Sequence, residues 1–240
     1  MVKRLLSPRV LSLALFSAGL VIGLLLFGFT TWADVESVLY GFDKQTSQTT
    51  NAMKCPLLMT TSETATITAT FTNTSDRPIR PTIRIDISNP GMLRTLRQPL
   101  ELDPGESQQV EWTVTANDVV LDRFIFSKVL IYAAYPLPSR EGTCGIVVVD
   151  WPSLTGTQLS LIAFLSSLAG MGTGMILWVA NNKPQLGMAL SVSRAMGVMI
   201  VSLTAGIFFS LNGWWLASML LFVLSLLLIV VILGDFILSR

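Results

Sequence analysis

Leu102-Asp103-Pro104-Gly105-Glu106-Ser107 leads into Val110-Glu111-Trp112-Thr113-Val114, and this stretch decides how the chain is read. Proline then glycine suits the two central positions of a type II turn, because only the second needs φ > 0. After the turn, apolar residues alternate with Glu111 and Thr113, the mark of a strand with one buried face. The same period of two runs through Ala65, Ile67, Ala69 and Phe71, and through Ile83, Ile85 and Ile87 with Arg84 and Asp86 between them. Phe124 to Tyr135 and Gly145 to Val149 are more continuously apolar, as central or late strands are. Further turn signals lie at Asn73 to Pro78 and at Asn89-Pro90-Gly91. With no helical stretch between these strands, residues 55–150 are predicted to form an antiparallel β-sandwich.

Outside this block the composition changes. The chain of 240 residues is 51% hydrophobic and 13% charged, with a mean hydropathy of +0.62, which points to an integral membrane protein. Val10 to Thr31 is one long apolar run. Two readings of it stay open: an uncleaved anchor, or a secretory signal with Thr31-Trp32-Ala33 as a poor cleavage site. The predicted organisation is a cytoplasmic N-terminus (1–9), a first membrane helix (10–32), a linker or stalk (33–54) and the β-block (55–150). Helices at 158–180, 195–211 and 214–234 follow, with a cytoplasmic loop at 181–194 and a cytoplasmic C-terminus at 235–240.

Charge and tryptophan give the orientation. Residues 33–150 hold ten basic and 14 acidic residues. The other basic residues are Lys3, Arg4, Arg9, Lys183, Arg194 and Arg240, and all of them fall on one side of the predicted helices. Lys and Arg in short loops mark the cytoplasmic face. Both termini are therefore expected inside, and the β-block outside the plasma membrane. Trp32, Trp151, Trp214 and Trp215 fall at predicted outer boundaries and Trp178 near an inner one, where an amphipathic ring is favoured.

Asn73-Thr74-Ser75, the Ile83/Ile85/Ile87 alternation, and the Leu102 to Ser107 turn before Val110-Glu111-Trp112-Thr113-Val114 resemble bacterial immunoglobulin-like repeats of the CARDB and NEW3 kind. The resemblance spans the β-block, about residues 55–150, and implies an immunoglobulin-like sandwich. It also implies a cell-surface or adhesion-associated setting, often in tandem copies, although this chain has a single copy. No family is recognised for the whole chain. The expected fold class is a bundle of four transmembrane helices with an all-β immunoglobulin-like sandwich inserted between helices 1 and 2.

Little chemistry is visible. The chain has no histidine, which removes the commonest general base and metal ligand. Catalytic residues, metal sites and cofactors are therefore predicted to be absent, and the near-neutral balance implies no nucleic-acid partner. Cys55 and Cys144 stand near the two ends of the β-block in an oxidising compartment and are predicted to pair as a disulfide. Their spacing is not C-x-x-C, so redox catalysis is not expected. Gly170 and Gly174 form a small-xxx-small pair that suits close helix packing. The expected role is non-catalytic: a β-module displayed for protein or surface interaction, as an accessory or scaffold subunit of an envelope complex. Its partners are the lipid bilayer and a membrane or envelope protein. The alternative is a small transporter, channel or lipid-handling protein with the β-module as a lid.

Overall fold

The structure is a computed structural model that describes residues 8–50 and 53–238, the side chains of 232–238 excepted. The element order is α1 (Pro8–Leu39), β1 (Met53–Lys54), β2 (Leu58–Thr60), β3 (Ala65–Thr72), β4 (Thr82–Ile87), β5 (Arg94–Pro99), β6 (Ser107–Val114), β7 (Phe124–Ile131), β8 (Arg140–Val149), α2 (Gly156–Asn181), α3 (Met188–Leu211) and α4 (Trp215–Leu238). Two compact units result. One is helical and holds the chain up to Phe29, Ser160–Phe209 and the residues from Leu216. The other holds Thr30–Leu159 together with Ser210–Trp215.

The second unit is a two-sheet sandwich. Strands β1-β3-β6 form one sheet and β2-β8-β7-β4-β5 the other. All pairs are antiparallel except β2 with β8, which run parallel over Leu58–Thr60 and Val147–Val149. The first segment therefore crosses between sheets: β1 pairs with β3 through Met53–Ala69, and a few residues later β2 joins β8. The alternation of the sequence is obeyed by burial, with Ile67, Ala69, Phe71, Ile83, Ile85, Val110, Trp112 and Val114 all in the core. Gly105 takes the left-handed position of its turn at φ +77°, and the Asp103 carbonyl accepts the Glu106 N–H at 3.0 Å. Strand β7 is apolar on both faces for a physical reason. Ile125 and Val129 face the sandwich core, while Phe124 and Phe126 pack with Ala33, Val147, Tyr40 and Phe42.

The expected fold class needs correction. The chain runs one helix, the β-domain, then three helices. The β-domain is not an insertion into a four-span bundle, because its unit takes in the end of α1 and the α3–α4 turn. Among the described residues, three helices are long and apolar enough to cross a membrane: α1, α2 and α3. Helix α4 runs Trp215–Leu238, and the part of it with described side chains, Trp215–Val231, is apolar. Hydropathy counted four apolar runs, and it located their ends poorly. The first helix does not stop at Trp32 but continues without a break to Leu39.

Within the helical unit, large apolar side chains such as Val21, Leu25, Ile176, Val201 and Leu227 are exposed, as expected of helices whose solvent is lipid. Helices α1 and α2 meet through small residues. A Cβ on Gly170 would come within 2.9 Å of the Gly19 Cα, and one on Gly174 within 2.6 Å of the Phe16 backbone. Such an approach maximises van der Waals contact where no hydrophobic force separates helix from lipid. Nothing lies within 4 Å of the corresponding position on Gly172. Gly174→Leu is expected to destabilise the detergent-solubilised protein by ~1–3 kcal/mol through overpacking, while Gly172→Leu leaves the thermal transition in place. Equal effects at the two positions would rule out this packing.

Candidate functional site

Strand β8 collects the partners of the β-domain. Cys144, buried in the core, is bonded to Cys55 with a Cα–Cα separation of 6.4 Å, and its sulfur lies 3.0 Å from the Ser127 hydroxyl. The sequence separation is 89 residues, and closing a loop of that size removes ~4–5 kcal/mol of unfolded-state entropy in the chain-entropy model. The bridge joins the sheet-switching first segment to the last strand. In antibody domains the disulfide instead links the two sheets through their B and F strands.

The next residue, Gly145, has to lack a side chain. A Cβ there would overlap the Ala33 carbonyl, so the end of α1 rests directly on the β8 backbone. Asp34 completes the contact. Its carboxylate accepts the Gly145 N–H at 3.3 Å and the Ser210 hydroxyl at 3.1 Å. Glu63 plays a similar part for the second helix, accepting the N–H groups of Thr60 and Gly156 at 2.7 Å each. Gly156 is the first residue of α2, and a carboxylate there satisfies an orphan donor and complements the helix dipole.

Residues 33–54 read as linker from sequence. In the structure, 33–39 finish α1, and the polar stretch after Phe42 lies along the start of β8. Gln45 N–H donates to the Glu141 carboxylate at 3.1 Å, Glu141 N–H to the Gln48 carbonyl at 2.9 Å, and Thr50 N–H to the Glu141 carbonyl at 2.8 Å. Glu141 also forms an ion pair with Lys128 at 2.9 Å, and the Lys128 ammonium donates to the Asp43 carbonyl. Only 4% of the Lys128 side chain and 12% of the Glu141 side chain are exposed. Two other charge clusters fix the far side of the domain. Arg84 and Asp86 pair at 2.9 Å, and Asp86 also accepts the Thr95 hydroxyl at 2.6 Å. Hydrogen bonding to Asp86 first, and to Tyr132 second, holds the Arg84 guanidinium above its ordinary pKa. Arg94 binds Asp118 at 2.9 Å and the Thr113 carbonyl at 2.8 Å.

A cleft of about 220 Å³ opens at one end of the sandwich. Phe71, Ile79, Leu102 and Leu137 are among its apolar lining, and Thr70, Thr72, Thr74, Tyr132 and Arg140 among its polar lining. It contains no pair of acids and no nucleophile–base pair. Among the described residues, no group of three or more His, Cys, Asp or Glu side chains could hold a metal. Asn73 is buried, and its amide donates to the carbonyls of Arg77 and Leu102 at 2.8 and 3.0 Å, so it serves the turn.

The remaining predicted positions are spread out. Gly170 and Gly174 lie in the helical unit. Trp32, Trp151 and Trp214 are about half exposed. Trp215 opens α4, and the indole N–H of Trp178 donates to the Ala189 carbonyl at 3.1 Å. Lys3, Arg4 and Arg240 lie outside the described residues. Sequence reasoning missed Asp34, Lys128, Glu141 and Glu63. The signals available were the apolar residues on both faces of Phe124–Ile131, which imply burial on both sides, and a single lysine among them.

No protein-family model matches the chain, and no curated protein matches it either. Solved structures give partial likenesses. The β-domain is similar to the CARDB domain of a Pyrococcus furiosus protein, solved in complex with di-metal ions, at 15% identity and a TM-score of 0.34; the match covers 45% of this chain and 98% of that one. β-Glucuronidase 2 of Bacteroides uniformis matches at 17% identity and a TM-score of 0.31, over 40% of this chain and 12% of the enzyme. A β-glucosidase of Listeria innocua matches at 14% identity and a TM-score of 0.30, over 41% and 16%. The chain thus spans a small part of either glycosidase.

Removing one member of the buried ion pair leaves the other charge uncompensated. Lys128→Met is expected to lower the stability of the β-domain by ~3–5 kcal/mol, and Lys128→Met with Glu141→Leu to lose clearly less. Chemical denaturation of the two variants checks this order, and a double variant as unstable as the single one would contradict it.

Proposed function

We propose that this is a non-catalytic integral membrane protein that presents its immunoglobulin-like β-domain to a protein or surface, as an accessory or scaffold subunit of an envelope complex. The observation that supports the reading is the number of chain crossings fixed within the β-domain's own unit. The end of α1, the start of α2 and the α3–α4 turn are each tied to it through Ala33–Gly145, Glu63–Gly156 and Asp34–Ser210. A disulfide and a buried ion pair hold the intervening segment. Fixing so many chain crossings costs conformational entropy, and the return is a surface of defined shape. A rigid surface binds with less ordering cost than a tethered one.

The positions of Arg9, Lys183 and Arg194 support a topology with the N-terminal side of α1 and the 181–194 connection cytoplasmic and the β-domain on the other side. An oxidising compartment for the Cys55–Cys144 bridge is the same choice.

Purification of the full chain in mild detergent after brief crosslinking tests the proposal. The expected result is stoichiometric recovery of a membrane or envelope protein crosslinked to residues 53–150. A protein recovered without any partner, and showing solute flux in proteoliposomes, would contradict it.

A further inference from the structure

Among the described residues no strand covers the outer edge of β6, whose Thr113 end alone is met by the Arg94 side chain, and its pattern matches itself. Antiparallel register pairs Thr72 with Ser107, and Asn73 N–H donates to the Glu106 carbonyl at 2.9 Å in continuation of that ladder. Hydrogen-bonded pairs alternate along an antiparallel ladder. Residues 108, 110, 112 and 114 therefore direct their N–H and C=O groups at β3. Ser107, Gln109, Glu111 and Thr113 direct theirs away from it. The bond from Arg94 to the Thr113 carbonyl, at 2.8 Å, agrees with that assignment. Among the described residues no strand pairs with this edge.

Natural sheets guard such edges with short strands, charge, proline or bulges. The other sheet is guarded in this way: β2 has three residues, and β5 carries Arg94, Arg97 and Pro99. Strand β1, at the far edge of the first sheet, has two residues. Strand β6 has eight residues, one charge and no proline, and the side chains of its outward-directed residues are solvent-exposed.

From this edge we infer that β6 pairs antiparallel with β6 of a second copy of this chain, with Val110 on the two-fold axis. In that register Gln109 faces Glu111 and Ser107 faces Thr113, whose carbonyl keeps its bond from Arg94 and accepts the second N–H on its other lone pair, and no like charges meet. The adjacent register on one side sets Glu111 against Glu111, which is unfavourable. The adjacent register on the other side sets Thr113 against Gly105, whose φ of +77° ends the strand. The contact is isologous, as a closed dimer requires, and it joins two three-stranded sheets into one. The inference rests on the reading of the β-domain as an interaction module and names one partner for it.

Two populations of the full chain, tagged differently and carrying Gln109→Cys or Glu111→Cys, are co-expressed, oxidised and solubilised in detergent. Opposed residues have Cα atoms about 5.5 Å apart, and like positions on the two strands about 8 Å, beyond disulfide reach. The mixed disulfide is therefore expected to dominate. Gln109→Pro removes an N–H that β3 does not use. It should convert a dimeric wild type to monomer by light scattering, with the Cys55–Cys144 bridge and thermal transition retained. Monomeric wild-type protein, equal yields of the three crosslinks, or a dimeric Gln109→Pro variant would each overturn the inference. Monomeric protein that still captures a different partner would overturn self-pairing alone and leave the interaction module standing.

Discussion

Two adjacent residues of β8 have to be approached from different directions at once. Cys144 turns into the sandwich to meet Cys55, while Gly145 turns out to meet the Ala33 carbonyl. Successive residues of a strand point to opposite faces, so this neighbouring pair holds the crossing first segment on one side and the helix end on the other. A side chain at Gly145 would push α1 away and remove the donor that Asp34 binds. A missing thiol at Cys144 would release the segment that switches sheets. The aromatic layer of Tyr40, Phe42 and Phe126 depends on the same contact, because it fills the space between the helix end and β7.

Much of the β-domain was legible in the sequence, since its strands obey a period of two and its turns use proline and glycine where the backbone requires them. Ile83, Ile85 and Ile87, and Val110, Trp112 and Val114, are buried as their spacing implies. The cysteine pair was legible for another reason: only two thiols exist, and both fall in the same block. What could not be read is the packing of residues 33–50 into the β-domain. Asp43 to Asn51 contains no apolar residue, and a segment held by hydrogen bonds of its backbone to β8 and to the Lys128 and Glu141 side chains leaves no trace in hydropathy. The continuation of α1 past Trp32 was hidden by Asp34 and Glu36. These look like the polar end of a membrane span, although the first of them is the residue that joins the helix to β8.

The ends of the helices were missed for a related reason. Hydropathy identifies apolar runs, but the element boundaries are set by partners outside the run. The end of α1 is placed by Gly145, the start of α2 by Glu63 and the turn after α3 by Asp34. The candidate functional surface follows the same logic. Nothing in the sequence of β6 separates it from a central strand, and its open edge became visible only once β5 was found on the other sheet.

Residues 33–50 belong to the β-domain and are held along β8 rather than forming a free stalk. Amide hydrogen exchange on the intact protein in detergent tests this directly. The Gln45, Thr50 and Glu141 amides each donate a hydrogen bond across the contact between this segment and β8, and they are predicted to exchange slowly and together. Exchange of Gln45 and Thr50 at the rate of an unstructured linker, with Glu141 still protected, would contradict the account.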